Sequence, residues 1–117
     1  IAWLKGGSVK SFEAKPEDFG LEAGSVDDVR GSIPEENAKT LLRILDGWSK
    51  DKPKIFMVLA NAAAGIVLGG LADTLGGGVD IAKESIESGK AGKKLREMIQ
   101  ASGGSLSKLE DLEATCV

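Results

Sequence analysis

The sequence has no histidine and only one cysteine, Cys116, among its 117 residues. Histidine is the commonest general base at neutral pH and the commonest metal ligand, so its absence excludes Ser-His and Cys-His nucleophile pairs and argues against a zinc site. A single cysteine cannot form an internal disulfide. Because Cys116 has no basic neighbour in the sequence to activate its thiol, we interpret it as inert.

Positive charge is not in excess either. Lys and Arg number 15 against 18 Asp and Glu, which gives a formal net charge of −3. A nucleic-acid surface needs a basic surplus to neutralise phosphates, so the composition argues against nucleic acid as a partner. The proportions of hydrophobic residues, 42%, and charged residues, 28%, are ordinary for a globular chain long enough to form one core.

A secretory signal is also missing from the first residues. The chain starts at Ile1, and the opening IAWLKGG has no basic stretch followed by an apolar run. We therefore expect a cytoplasmic protein. The start without methionine leads us to expect a fragment of a longer polypeptide.

Turn and helix signals divide residues 1–117 into three parts. Residues 1–14 predict a β-hairpin around Gly6-Gly7, and residues 15–33 predict a loop with one helical turn at PEDF. Residues 34–113 predict about five helices. The fold class expected from the residues is thus α+β, with an N-terminal hairpin followed by helices.

Local signals suggest where the helices begin and end. Ser32 to Glu35 fits a capping box in which Ser32 accepts the Glu35 N–H. Gly76 to Gly78 is expected to break the chain before the third helix. After the first helix, the predicted helices cover approximately 51–72, 79–88, 92–101 and the tail LSKLEDLEA.

The longest uncharged run, IFMVLANAAAGIVLGGLA from Ile55 to Ala72, allows three interpretations. It is nearly long enough for a membrane span, but it is rich in Ala and Gly and would place Asn61 in lipid. Gly65 and Gly70 have the spacing of a phosphate loop, but Leu71 stands where that motif requires lysine. A helix buried on all sides fits best, with no membrane as a partner.

One face of that helix carries small side chains, including Asn61, Gly65 and Gly69. We expect a neighbouring backbone to pack closely there. Gly65→Leu should then damage the fold more than Gly77→Ala, because it overpacks a core helix.

Acidic pairs are the remaining candidates for chemistry. Asp27-Asp28 offers oxygen ligands that suit magnesium, although adjacent loop acids are more often solvated. Arg30 is expected to form a surface pair with these acids, and Glu17-Asp18 is expected to start a short helix. The residues thus support no catalytic, cofactor-binding or metal-binding residue that we would assign.

Several short motifs resemble one enzyme family in their order and spacing. They are PEDFGL from Pro16, RGSIPEENAKTLLRILDG from Arg30, and LANAAAGIVLGGLADTLGGGVDIAKESIESGKAGKKLREMI from Leu59. Together they resemble the final third of anthranilate phosphoribosyltransferase. Gly76 and Gly77 depart mildly, since family members commonly carry acidic or polar residues there.

The resemblance implies a transferase that moves phosphoribosyl from phosphoribosyl pyrophosphate to anthranilate in tryptophan biosynthesis, with magnesium, usually as a homodimer. It implies that the chain is the C-terminal part of the α/β domain of the anthranilate phosphoribosyltransferase and nucleoside phosphorylase-like fold. The family's pyrophosphate loop, KHGN-type loop, anthranilate-contacting arginine and magnesium-binding Asp-Glu pair match nothing here, so no site residue is carried over.

The sequence therefore leaves two functional hypotheses. In the first, the chain is a scaffold fragment of this enzyme, inactive and self-associating when isolated, whose partner is the remaining polypeptide or a second copy. The hairpin would then form the edge of the domain's sheet, and the helix over 51–72 would pack on that sheet. In the second, the chain is a stand-alone helical interaction or oligomerisation module without catalysis.

Overall fold

The computed structural model describes residues 1–116, which form a β-hairpin, two short 3₁₀ helices and five α-helices. The predicted α+β organisation is confirmed. The strands are β1 (Ala2–Lys5) and β2 (Ser8–Ser11), and the 3₁₀ helices span Pro16–Phe19 and Asp27–Val29. The α-helices are α1 (Pro34–Leu45), α2 (Lys52–Leu68), α3 (Leu75–Glu87), α4 (Lys90–Ala101) and α5 (Leu106–Cys116).

The hairpin turns at the predicted glycines. Gly6 and Gly7 have φ of +58° and +78°, values that glycine adopts at no steric cost and that a two-residue hairpin turn requires. The antiparallel register places Trp3 opposite Lys10. Leu4 and Val9 remain 68% and 66% exposed, so one face of this two-stranded sheet carries uncovered apolar side chains.

The start of α1 differs from the predicted capping box. Ser32 does not cap the helix, which begins after Ile33 without a side-chain cap. The Asn37 amide instead bonds the Ser32 backbone twice, accepting its N–H and donating to its carbonyl, both at 2.8 Å. The Ser32 N–H, which the Glu35 side chain would accept in a capping box, is bonded to Asn37 instead. The predicted capping box is therefore wrong, although α1 begins at Pro34 as expected.

Helix α2 begins where the sequence predicted but ends earlier than Ala72. Asp51 caps it by accepting the Lys54 N–H, and Pro53 occupies the first turn. The helix stops at Leu68 because Gly70 adopts a φ of +75° and the Leu71 N–H returns to the Ile66 carbonyl. This is a glycine-based helix end.

The glycine triplet lies inside α3, so the predicted chain break at Gly76–Gly78 is wrong. Thr74 caps this helix by accepting the Gly77 N–H at 3.0 Å, and the helix therefore begins at Leu75. Gly78 is buried against α2. The tertiary contact thus outweighs the low helix propensity of glycine.

The main core lies between α2, α3 and the first 3₁₀ helix. Its buried members are Phe19, Leu21, Leu59, Ala63, Val79 and Ala82. Helix α2 packs chiefly on α3 and the 3₁₀ helices, not on the hairpin, so the expected packing of this helix on the hairpin's sheet is not found within residues 1–116.

The small-residue face of α2 points outward. Asn61, Gly65 and Gly69 are exposed, whereas Leu59 and Ala63 are the buried members of the helix. A side chain at Gly65 would meet no atom within 4 Å. The prediction that this helix is buried on all sides is therefore wrong for the part of the chain that the structure describes.

Candidate functional site

An apolar groove of about 320 Å³ lies between the two 3₁₀ helices and α2. Its floor is Phe19, which packs in the core, and one wall is the outer side of α2. The sequence interpretation placed this region in a loop and missed the groove. The apolar residues of PEDFGL were the local signal, since Phe19 and Leu21 are both buried. The groove is lined by Ala14, Lys15, Pro16, Phe19, Leu21, Glu22, Gly24, Ser25, Val26, Val29, Pro53, Phe56, Met57, Ala60 and Asn61.

Asp28 and Asp51 both lie close to Lys54, beside the groove residues Ser25 and Pro53. The Asp51 carboxylate accepts a hydrogen bond from the Lys54 ammonium at 2.8 Å, and this bond lowers the pKa of Asp51. The Asp28 carboxylate accepts the Ser25 N–H at 2.8 Å, which lowers the pKa of Asp28, with a smaller contribution from the Lys54 charge. The first bond lies within the start of α2 and the second within the loop before the second 3₁₀ helix, which packs against α2.

Asp27 and Asp28 do not converge on a shared cation position. Asp27 pairs with Arg30 at 2.7 Å, both side chains being exposed, which confirms the predicted surface pair. Asp28 is turned to the Ser25 backbone. Across residues 1–116 no three His, Cys, Asp or Glu side chains group closely enough to hold a metal ion. These two acids therefore do not fit a magnesium site.

The other candidates from the sequence lie in helices or in the turn beside one. Asp18 accepts the Lys15 N–H at 2.7 Å at the start of the first 3₁₀ helix, as predicted for this acidic pair. Asn61 donates to the Met57 carbonyl at 2.8 Å within α2.

Gly65 lies within α2 and Gly70 in the turn that follows it, so they do not form a phosphate loop. Cys116 is half-buried at the end of α5.

No helix within the described residues is long and apolar enough to cross a membrane. This applies to α2, the candidate from the uncharged run, which ends at Leu68.

A second polar cluster joins α1, α4 and α5. Arg96 donates to both carboxylate oxygens of Glu113, and the Asp46 carboxylate lies against Gly92. Partial burial raises the pKa of Asp46, and the Glu113 charge raises it further, while Arg96 opposes this. The Arg96–Glu113 pair joins α4 to α5. Asp46 also lines a second groove, of about 400 Å³, between the end of α1, α2 and α3.

Comparison with known proteins identifies relatives over most of the chain. It is 41% identical over 104 residues to an anthranilate phosphoribosyltransferase from Parvibaculum lavamentivorans, a match that covers 89% of this chain and 30% of that protein. It is 39% identical over 100 residues to one from Petrotoga mobilis, covering 86% of this chain and 28% of that protein. A third, from Methanobrevibacter smithii, is 42% identical over 100 residues, covering 86% of this chain and 29% of the relative.

These matches confirm the resemblance found in the motifs, and the chain spans about 30% of the length of the relatives. No solved structure matches the chain significantly. The model of the glycosyl transferase family, a/b domain, matches residues 1–92, from the hairpin into α4. On this match, the chain belongs to the glycosyl transferase family, a/b domain.

Proposed function

We propose that this chain is the C-terminal part of an anthranilate phosphoribosyltransferase, which transfers phosphoribosyl from phosphoribosyl pyrophosphate to anthranilate in tryptophan biosynthesis. The observation that carries the proposal is the 38–42% identity to several proteins of that name along most of the chain. Each match covers less than a third of the relative. The remaining polypeptide would supply the rest of the enzyme.

The role proposed for this chain within that enzyme is a scaffold. The described residues offer an apolar groove and a packed helical core, and no three His, Cys, Asp or Glu side chains among them group closely enough to hold a metal ion. Magnesium, phosphoribosyl pyrophosphate and anthranilate would be bound by residues outside this chain, in a cytoplasmic homodimer with the α/β fold of the family. Phosphoryl-bearing substrates need positioned donors and charge, which upstream loops would provide.

A chimera tests the proposal directly. The segment of the Parvibaculum lavamentivorans enzyme that matches this chain is replaced by residues 1–117, and consumption of anthranilate fluorescence is followed with phosphoribosyl pyrophosphate and magnesium. We expect turnover clearly above that of the same enzyme with its matching segment deleted. The deletion variant is the control for activity that does not need this part.

Two outcomes separate the functional hypotheses. A chimera that folds, melts cooperatively and turns over anthranilate supports the scaffold role. A chimera that folds but has no more turnover than the deletion variant contradicts the proposal and favours the stand-alone helical module.

A further inference from the structure

The solvent side of α2 carries no charge beyond its first turn. From Ile55 to Leu68 the exposed residues are Met57, Asn61, Gly65 and Leu68, which follow one another at helical spacing. We call these four residues the α2 face. Met57 is 48% and Leu68 is 72% exposed, and Leu71, just beyond the helix, is 71% exposed.

The α2 face differs from the exposed side of a typical surface helix. Such a helix carries charged residues toward water, as α4 does with Lys93, Lys94 and Glu97. Helix α2 instead buries Leu59 and Ala63 on one side and leaves an uncharged side open. The helix therefore has the composition of a core helix with a partner on one side only.

The α2 face continues into the apolar groove. Met57 and Asn61 belong to both, and Val26, which is 80% exposed, lies across the groove from them. The open space over Gly65 leaves room for a neighbouring backbone. Large apolar side chains at both ends of the face, at Met57 and Leu68, add area that burial would stabilise.

We propose that the α2 face is covered, in the complete enzyme, by an uncharged apolar element of the polypeptide that this chain lacks. This rests on the proposed function, because about 70% of the length of the relatives lies outside the matched segment. We expect the covering element to be uncharged because the α2 face has no charged side chain to pair with a desolvated charge.

Binding in trans measures this contact. The tagged chain is titrated with the Parvibaculum lavamentivorans enzyme that lacks its matching segment, and affinity is compared for the parent, Met57→Lys and Leu68→Lys. The matched control is Met98→Lys, which adds the same charge near the end of α4 at a residue that is 60% exposed. Thermal melts of the isolated variants check that all remain folded.

We expect Met57→Lys and Leu68→Lys to weaken binding about tenfold or more, because each buries an unpaired charge, whereas Met98→Lys binds like the parent. The same substitutions in the chimera should lower its melting temperature, again with Met98→Lys unchanged. This second readout applies even where the truncated relative does not fold by itself.

Equal melting temperatures for all three substituted chimeras would overturn the proposal. The proposal would also be overturned if the isolated chain formed a dimer through Met57 and Leu68 and did not bind the truncated relative. A second copy of the chain would then cover the α2 face. Neither readout is turnover, so a folded chimera that is stabilised through the α2 face but inactive would contradict the proposed function alone.

Discussion

Gly78 of α3 touches the backbone of Ala63 in α2. A methyl group built on Gly78 would lie 2.7 Å from the Ala63 carbonyl oxygen and 2.9 Å from its Cα, distances that real side chains do not occupy. This contact sets the spacing of the two helices that form the main core. The glycine is therefore required for packing and not for a turn.

Gly78→Ala should destabilise the chain by about 1–3 kcal/mol, because the helices must separate to admit the methyl group. The matched control is Gly76→Ala in the same helix, where a new Cβ meets no atom within 4 Å. There we expect a gain of about 0.4–1 kcal/mol from the lower entropy of the unfolded chain. Urea melts of both variants measure the difference, and equal midpoints would refute the close contact.

The contact between Gly78 and Ala63 shows why the start of α3 could not be predicted from the sequence, although the hairpin could. The hairpin was predictable because the Gly6-Gly7 pair between two short strands is a local turn signal. The start of α3 was not, because a glycine triplet locally indicates a break, whereas Gly78 is held in the helix by Ala63, fifteen positions earlier. Helix α2 ends at Leu68, before the predicted end at Ala72, because Gly70 adopts a positive φ.

The candidate groove was harder to predict than the helices. Its walls come from the first 3₁₀ helix, the loop around Val26 and the outer side of α2, which only folding brings together. The roles of Asp27 and Arg30 followed from their spacing of three residues, and the structure confirms that pair. The outward orientation of Gly65 could not be read from periodicity, which defines a face but not which side meets solvent.

Gly65→Leu should leave the isolated chain at least as stable as the parent. Glycine is about 0.8–1 kcal/mol less favourable than alanine in a helix interior, leucine ranks just below alanine, and the space over Gly65 is open. Gly77→Ala should melt lower than Gly65→Leu, because its Cβ would lie 3.2 Å from the Thr74 hydroxyl that caps α3. Thermal melts of the two variants test this order, which reverses the expectation from the sequence.

Asp46→Asn should stabilise the chain at pH 7. The pKa of Asp46 is raised above 3.8 by burial first and by Glu113 second, so the folded state binds this proton more tightly than the unfolded state. The resulting penalty is fully present above the raised pKa and is relieved as the pH falls through it.

The gain in melting temperature should therefore shrink as the pH is lowered, and vanish below about 3.8, where Asp46 is protonated in both states. Asp111→Asn, on the exposed side of α5, is the control for the loss of one negative charge. A gain for Asp46→Asn that does not depend on pH would show that its charge is not the cause.

Arg96→Gln should cost more stability than Glu113→Gln. Both changes break the ion pair that joins α4 to α5, which is worth about 0.2–1 kcal/mol because the Arg96 side chain is 43% exposed. Only the loss of Arg96 leaves the Asp46 and Glu113 charges without a cation, whereas the loss of Glu113 also removes its repulsion of Asp46. Urea melts at low and high salt measure both costs, and equal costs would contradict the proposed coupling of the three groups.

The isolated chain should not turn over anthranilate, and it should self-associate. Positioned loops and charges supply most of the catalysis in such transfers, so a chain without them should have no activity rather than weak activity.

Self-association of the isolated chain is expected because Leu68, Leu71 and the hairpin residues Leu4 and Val9 are exposed together with the uncharged α2 face. A fluorescence assay and a sizing column measure the two properties, with Met57→Lys expected to shift the elution toward the monomer and Met98→Lys expected to elute like the parent. Turnover above background would reveal an active site within these residues, and a strictly monomeric parent that melts sharply would favour the independent helical module.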